Sequence, residues 1–197
     1  MRKTIAAILG LLLLSCAKEA EVLSDFQEFT EISQSISNNR VNAFVQDGEG
    51  CVWIATDRGV NRYNGYDYHC WYHTDNPSSL CDNQVKAIAV DNDGNVWCGT
   101  VNGVCRYTDK DDFKTVPVGG STFIRNIFLT PGGNLVVCTI NSIEVLEKDD
   151  NGGESFRMVE SFDNRFGIFS IDSLGRLWLV SYEGLKWWNI DNGTKSE

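Results

Sequence analysis

The feature that most constrains this chain is a segment that returns four times along it. Each copy contains a turn rich in Asp and Gly, followed by a short apolar run around one anchor position, which is Trp in three copies. The anchors are Trp53, Trp97, Val136 and Trp178, so successive copies are 44, 39 and 42 residues apart. A period of roughly 40 residues is typical of one four-stranded β-propeller blade. The repeat therefore predicts blades that stack around a common axis.

Each copy predicts the same order of strands. An apolar inner strand precedes the turn, the anchor lies on the second strand, a Gly-containing turn leads to the third strand, and in the first three copies an outer strand follows. The predicted inner strands are Val41–Gln46, Val85–Val90, Ile124–Leu129 and Phe166–Ile171, and the predicted outer strands are Tyr68–His73, Phe113–Val116 and Phe156–Ser161. The fold class is therefore all-β, a β-propeller of about four four-stranded blades over residues 26–197, with units near 38–74, 82–117, 121–161 and 163–190.

The two ends of the repeat array bear on how it closes. Phe26–Thr30 has the character of an outer strand, and the fourth copy is expected to end after its third strand. Phe26–Thr30 could therefore complete the blade that holds Trp178, which would close a ring of four blades. The alternative, which we favour, is that the chain is part of a larger propeller.

The first 16 residues predict a signal peptide. A basic start precedes the apolar stretch Thr4–Leu14, which is too short to span a bilayer. The sequence Leu13–Cys16 resembles the lipobox of bacterial lipoproteins, in which the cysteine is acylated, so Cys16 is a predicted lipidation site. An ordinary secretory signal is the alternative, and residues 17–25 form a short linker in either case. Both signals predict export.

Charge and cysteine spacing narrow the range of partners. The chain has 17 Lys and Arg against 27 Asp and Glu, and two basic residues precede Cys16, which leaves the remainder at −12. Nucleic-acid binding needs basic patches, so we expect no nucleic-acid partner.

The six later cysteines lack zinc-ligand spacing, and we predict no metal and no cofactor. Cys98 and Cys105 flank one hairpin, but the pairing in the other copies suggests that they face opposite ways and argues against a disulfide.

The repeats resemble a known family. The shared pattern, D-x-x-G-x-[VL]-W-[IL]-x-[TS] followed by G-[VL]-x-x-[YW], is close in Asp47–Tyr63 and Asp91–Tyr107, good in Asp172–Trp188 and degenerate in Thr130–Leu146. This pattern resembles the two-component regulator propeller repeat. The resemblance implies the extracytoplasmic sensor part of a hybrid two-component system of a Gram-negative bacterium, detecting glycan-derived ligands.

The same resemblance implies partners and alternatives. It implies further propeller blades or a β-sandwich domain as neighbours, with membrane attachment through a lipid anchor or a helix beyond this chain, and kinase activity only in domains that this chain lacks. The second interpretation is an outer-membrane binding or scaffold lipoprotein unconnected with phosphorelay. A lyase-type propeller enzyme is the third.

The candidate ligand-binding residues lie in polar loops at one end of the predicted blades. Propellers present such loops to ligands, whereas the repeated Trp residues are expected to pack between blades. Amide and guanidinium groups suit sugar hydroxyls, although Asn and Asp also favour turns because they bond their own backbone. The candidates are Asn39, Arg40, Asn83, Gln84, Asn164 and Arg165 before the inner strands, and Asp57, Arg58 and Tyr182 after the second strands.

Catalytic residues are not predicted. The chain has two histidines, His69 and His73, and both fall on a predicted outer strand, away from the centre of a propeller. A general acid or base would have to lie close to a bound substrate, so we expect no enzyme activity from this chain.

Overall fold

A computed structural model describes residues 35–108, 110–162 and 167–196, and residues 36–197 form one compact unit. The described residues contain sixteen strands in four antiparallel sheets of four strands each. The strands are β1 Val41–Gln46, β2 Val52–Thr56, β3 Gly59–Tyr63, β4 Tyr68–Trp71, β5 Val85–Val90, β6 Val96–Thr100, β7 Gly103–Tyr107, β8 Phe113–Val116, β9 Ile124–Leu129, β10 Leu135–Thr139, β11 Ser142–Lys148, β12 Glu154–Ser161, β13 Ile168–Ile171, β14 Arg176–Ser181, β15 Gly184–Asn189 and β16 Thr194–Lys195.

Each sheet is a meander whose strands pair in chain order, which confirms the predicted blade. The first three inner strands have the predicted bounds, and the fourth is described from Ile168 onward. The outer strands differ slightly, since β4 ends at Trp71 and β12 begins at Glu154. Because one blade cannot bury its apolar faces alone, the sheets are stable only when they pack on one another.

The fourth sheet corrects one expectation. Its outer strand is β16, which pairs with β15 through Trp188 and Lys195, so the fourth copy does not end after its third strand. The hairpin forms because Gly193 adopts a φ of +72° and its N–H donates to the Asn189 carbonyl at 2.9 Å. The proposed closing strand Phe26–Thr30 lies outside the described residues, as do the signal peptide, Cys16 and the linker.

A repeated carboxylate holds the turn between the inner and second strands. Asp47, Asp91 and Asp172 each accept a hydrogen bond from the indole N–H of the anchor Trp six residues later, at 2.8–2.9 Å. Each also accepts backbone N–H groups within its own turn. One side chain thus fixes both the turn and the anchor rotamer, which explains the conserved spacing from Asp to Trp within the chain.

The degenerate third copy replaces this carboxylate with one from the next sheet. Thr130 stands in the Asp position, and its hydroxyl donates to Asp191 at 2.5 Å. Asp191, which follows β15, also accepts the Gly132 N–H at 2.9 Å and the Asn134 amide at 2.8 Å. Every described turn between an inner strand and a second strand is therefore held by a carboxylate. In one of the four turns, that carboxylate comes from the neighbouring blade.

Three apolar layers join neighbouring sheets, and we call each layer a seam. Trp53 lies in the seam between the first and second sheets, and Trp97 lies in the seam between the second and third, both buried. The prediction that these anchors pack between blades is confirmed. Trp178 is only half-buried, because it faces away from the third sheet.

The cysteine pairing corrects a second expectation. Cys98 and Cys105 are direct cross-strand partners on β6 and β7, and both are buried in the first seam. Residues directly opposite each other in an antiparallel pair point to the same face, so the inference of opposite faces was wrong. The six cysteines of the described residues are free thiols.

No helix in the described ranges is long and apolar enough to cross a membrane.

Candidate ligand-binding rim

Loops and turns meet at the end of the blades where the inner strands begin and the second strands end, and we call this end the rim. The peptide N–H of Gly59 donates to the Asn83 carbonyl at 2.6 Å, and that of Gly103 donates to the Thr122 carbonyl at 2.7 Å. Each bond joins the turn of one blade to the loop that enters the next blade. Backbone contacts between neighbouring blades therefore help to hold the rim together.

A charged cluster occupies the rim of the first seam. The Asp57 carboxylate, at the turn after β2, lies 3.0 Å from Nε of Arg40 and 2.6 Å from Nζ of Lys86. It also accepts the Asn42 side-chain amide at 2.9 Å. Arg40 and Asp57 were predicted site residues, and the structure brings them together. We call Arg40, Asn42, Asp57 and Lys86 the rim cluster.

Sequence reasoning missed Asn42 and Lys86. Each is the extra residue of a β-bulge on an inner strand, at the register shifts Val41/Ala43 and Val85/Ala87. Arg125 occupies the same position in the third blade and donates to the Gly167 carbonyl at 3.4 Å. The available signal was a polar residue in the second position of three otherwise largely apolar inner strands.

The Asp57 carboxylate of the rim cluster is held in its ionised form. Hydrogen bonds from Asn42 and then from Lys86 lower the pKa of Asp57, and they outweigh the opposing effect of burial. Asp57 is therefore an acceptor flanked by donors. Arg40 keeps 78% of its side-chain surface exposed, so its guanidinium can still donate to a ligand.

The other predicted rim residues are more dispersed. Asn39, Arg58, Gln84 and Tyr182 are exposed, with Tyr182 at 89%. Asn83 uses its side-chain carbonyl to accept the His73 N–H at 2.9 Å, which is a loop-forming contact. Asn164 and Arg165 lie outside the described residues.

Turn chemistry accounts for part of the polar pattern in these loops. The side chains of Asn38, Asp82 and Ser121 each accept the backbone N–H two residues later, at 2.8, 2.8 and 3.2 Å. The alternative that these loops are polar for structural reasons therefore applies to the first residue of each loop.

Both histidines lie at the outer edge of the first blade. His69 is on β4 and contacts Trp71, with ring centroids 4.2 Å apart and the ring planes tilted by 38°. His73 follows the end of β4 instead of lying on it, and its Nδ1 is 2.6 Å from the Leu80 carbonyl. Neither histidine lies in the rim cluster.

A second cleft, of about 470 Å³, lies at the opposite end of the first seam, where the Asp turns are. Its Asp47 and Glu49 carboxylates both contact the Arg62 guanidinium, at 3.2 and 2.5 Å. The arginine offsets one of the two negative charges, so Asp47 and Glu49 belong to an ion-paired turn.

Two segments of the chain match the family described as two-component regulator propeller, residues 35–58 and 79–102. Each match runs from a loop that enters an inner strand to the turn after a second strand. The chain carries two-component regulator propeller repeats. The matched segments include the rim cluster residues Arg40, Asn42, Asp57 and Lys86.

Solved structures share the propeller fold of these repeats. The extracellular domain of a hybrid two-component system from B. thetaiotaomicron superposes with a TM-score of 0.64 at 21% identity, covering 84% of this chain and 25% of that one. The extracellular domain of a one-component system from the same organism superposes with a TM-score of 0.66 at 17% identity. The match covers 85% of this chain and 26% of that one. Virginiamycin B lyase from Staphylococcus aureus superposes with a TM-score of 0.60 at 19% identity. The match covers 80% of this chain and 55% of the lyase.

This chain therefore spans about a quarter of the length of the two extracellular domains. No curated protein matches it in sequence.

Proposed function

We propose that this chain is part of an exported, ligand-sensing propeller of the two-component regulator type. Its propeller repeats and its fold, which is shared with extracellular domains of such systems, support the proposal. The observation that carries the binding role is the rim cluster, in which Arg40, Asp57 and Lys86 meet across two blades at an accessible rim. Signalling would arise if a ligand bound one arrangement of the propeller and its neighbouring domain more tightly than another.

The chemistry of the rim cluster suits a neutral, hydroxyl-rich ligand derived from a glycan. A sugar hydroxyl both donates and accepts, so it can bond Asp57 and Arg40 together. The strongly acidic chain, with a formal charge of −10, disfavours polyanionic ligands.

We propose further propeller blades as the neighbours of the fourth sheet. Its face away from the third sheet carries Ile168, Val180 and Leu185, exposed by 74%, 52% and 59%. The equivalent face of the second sheet is covered by the third sheet. Apolar sheet faces of this kind are normally covered, and the solved extracellular domains are about four times as long as the part that this chain matches.

We propose a binding role instead of catalysis, although lyases share the fold. The two histidines lie at the outer edge of the first blade, one against Trp71 and one against the Leu80 carbonyl. Because neither side chain belongs to the rim cluster, the cluster holds no imidazole that could act as a general base. A lipid anchor at Cys16 would fit either a sensor or a scaffold lipoprotein, and intact-mass analysis of the exported protein tests it.

The binding role is tested with Asp57→Asn and a matched control. Asp93→Asn removes a carboxylate that is also ion-paired, with Lys148 at 2.8 Å, near the Asp turn of the second sheet and away from the rim. In a thermal-shift screen with neutral oligosaccharides, we expect one or more to raise the unfolding midpoint of the wild type and of Asp93→Asn. Asp57→Asn should need at least about tenfold more ligand for the same shift.

Two results would overturn the proposal. In one, no neutral oligosaccharide shifts the folded wild-type protein. In the other, Asp57→Asn responds as the control does. The midpoint of each variant without ligand shows whether folding itself has changed.

A further inference from the structure

Three cysteines lie close together where the connection between the first and second sheets crosses the second sheet. Cys98 and Cys105 are cross-strand partners, and Cys81 belongs to the connecting segment between β4 and β5. All three are in the first seam. Their proximity is not required by the repeat pattern, because Cys81 comes from a connection and not from a blade strand.

The connecting segment is fixed against the outer strand of the second sheet. The Phe113 N–H donates to the Ser78 carbonyl at 2.7 Å, and the ring of His73 contacts the Leu80 carbonyl at 2.6 Å. Cys81 follows directly, and its Sγ lies 3.5 Å from Oγ1 of Thr115. Since Thr115 is the cross-strand partner of Cys105, Cys81 lies over the same part of the sheet as Cys105.

The three thiols differ in access. Cys98 and Cys105 are fully buried, whereas Cys81 retains 9% of its surface and lines a cleft of about 380 Å³. His73, Asp75 and Thr115 also line this cleft. Of the three thiols, Cys81 is therefore the one that borders a cleft, whereas Cys98 and Cys105 have no exposed surface.

The pKa shifts of the three thiols follow the same division between Cys81 and the other two. Hydrogen bonding with the Cys105 thiol lowers the pKa of Cys81 against the effect of burial, with further lowering by Thr115 and His73. Burial raises the pKa of Cys105 and of Cys98. The thiol that borders the cleft is thus the one whose pKa is lowered, which suits an attacking thiol.

We propose that Cys81 and Cys105 form a thiol–disulfide exchange pair that reacts with low-molecular-weight disulfides, with Cys81 as the attacking thiol and Cys105 as the resolving thiol. The Cys81 thiolate attacks one sulfur of the reagent, the reagent's S–S bond breaks, and one thiolate leaves with the electron pair. Cys105 then gives up its proton and attacks the Cys81 sulfur, which releases the second thiolate. The protein loses two electrons and two protons, and one disulfide is reduced to two thiols.

The Cys81–Cys105 disulfide would join the connection between the first two sheets to β7, the third strand of the second sheet. Disulfides persist in export compartments, which is where the signal-like N-terminus would direct this chain. Closing a loop between positions 81 and 105 restricts the unfolded chain. This inference is independent of the proposed sensing role, because it uses no rim residue.

The probe is oxidised glutathione, added to the folded full chain and followed by intact mass and peptide mapping. We expect the wild type to lose two hydrogens and to yield a Cys81–Cys105 linked peptide. Oxidation should raise the thermal midpoint by about 5–10 °C, and dithiothreitol should reverse this rise. Cys105→Ser should instead accumulate a mixed disulfide of glutathione on Cys81.

Cys98→Ser is the matched control, because it removes the third thiol of the group and should still form the Cys81–Cys105 bond. Cys81→Ser should slow the oxidation of Cys105 in the folded protein at least about tenfold, as followed by peptide mapping, which separates Cys105 from the half-buried Cys70. A Cys98–Cys105 linkage, a stable mixed disulfide on wild-type Cys81, or an unchanged rate in Cys81→Ser would each overturn the proposal. If Cys105→Ser fails to fold, the linked peptide from Cys98→Ser still decides the question.

Discussion

The second and fourth sheets carry equivalent residues on equivalent faces, but only one of these faces is covered. On the second sheet, Trp97 and Val104 are buried against the third sheet. On the fourth sheet, the corresponding Trp178 is half-buried, and the corresponding Leu185 is 59% exposed. The difference shows that the repeat encodes a surface made for a neighbour, while burial itself depends on whether a neighbouring sheet is present.

The two faces also differ in shape. The second sheet has Gly99 where the fourth has Val180, and a Cβ on Gly99 would lie 2.5 Å from Cγ2 of Ile124. Large side chains of the third sheet therefore fill the space that small residues of the second leave. The larger Val180 and Ile168 imply that a blade packed on the fourth sheet would present smaller residues at these points.

The comparison predicts its largest effect for the two anchor tryptophans. Both indoles donate to an Asp at 2.9 Å, so the pair differs mainly in burial. We expect Trp97→Ala to lower the free energy of unfolding by about 3–5 kcal/mol, because it leaves a cavity in a closed seam, and Trp178→Ala to lower it by less than half as much. Urea denaturation followed by circular dichroism measures both. Equal losses would mean that the hydrogen bond, and not the seam, supports the anchor.

The next effect concerns the equivalent positions 99 and 180. Gly99→Val should lower the free energy of unfolding by about 1–3 kcal/mol, because the new side chain would collide with Ile124. Val180→Gly should cost about 1 kcal/mol or less, which reflects β-propensity at an exposed site. Thermal and urea unfolding give both values. If Gly99→Val were tolerated as well as Val180→Gly, the close packing of the second seam would be contradicted.

A third effect should be independent of the seams, because it arises within a single turn. The Asp91 turn keeps the carboxyl ionised through bonds from Trp97 and Asn95, which outweigh burial, and the Trp178 indole chiefly lowers the pKa of Asp172. A depressed folded-state pKa contributes stability that is present above the unfolded value, about 3.9 for Asp, and is lost as pH falls through the folded value.

We therefore expect the unfolding free energy to fall on acidification below about pH 4. Asp91→Asn should remove part of this pH dependence and cost about 1–2 kcal/mol at pH 7. Asp172→Asn should also reduce the pH dependence of the unfolding free energy, although the fourth sheet has an exposed face. Denaturant titrations between pH 2 and pH 7, values chosen to bracket the Asp pKa, are the measurement. A steep pH dependence in Asp91→Asn equal to that of the wild type would rule out this role.

The candidate site was predictable only in part, and its residues show why. Asp57 and Arg40 were found because polar residues at rim positions recur with the period of the repeat. Asn42 and Lys86 were missed because a β-bulge turns them toward Asp57, and an inner strand read as regular does not reveal which residue is extra. The contact between Lys86 and Asp57 joins two blades, so it depends on how the sheets pack.

The sequence by itself determined the blade: the period, the strand order and the bounds of the first three inner strands follow from residues close together in the chain. Hydrophobic alternation and turn chemistry act over a few residues, so they can be read without a structure. Only the tertiary structure decided that Asp191 accepts hydrogen bonds from the Thr130 turn, that Cys81 lies over the same part of the second sheet as Cys105, and that one face of the fourth sheet is exposed. Each of these depends on contacts between blades or their connections, which local pattern does not specify.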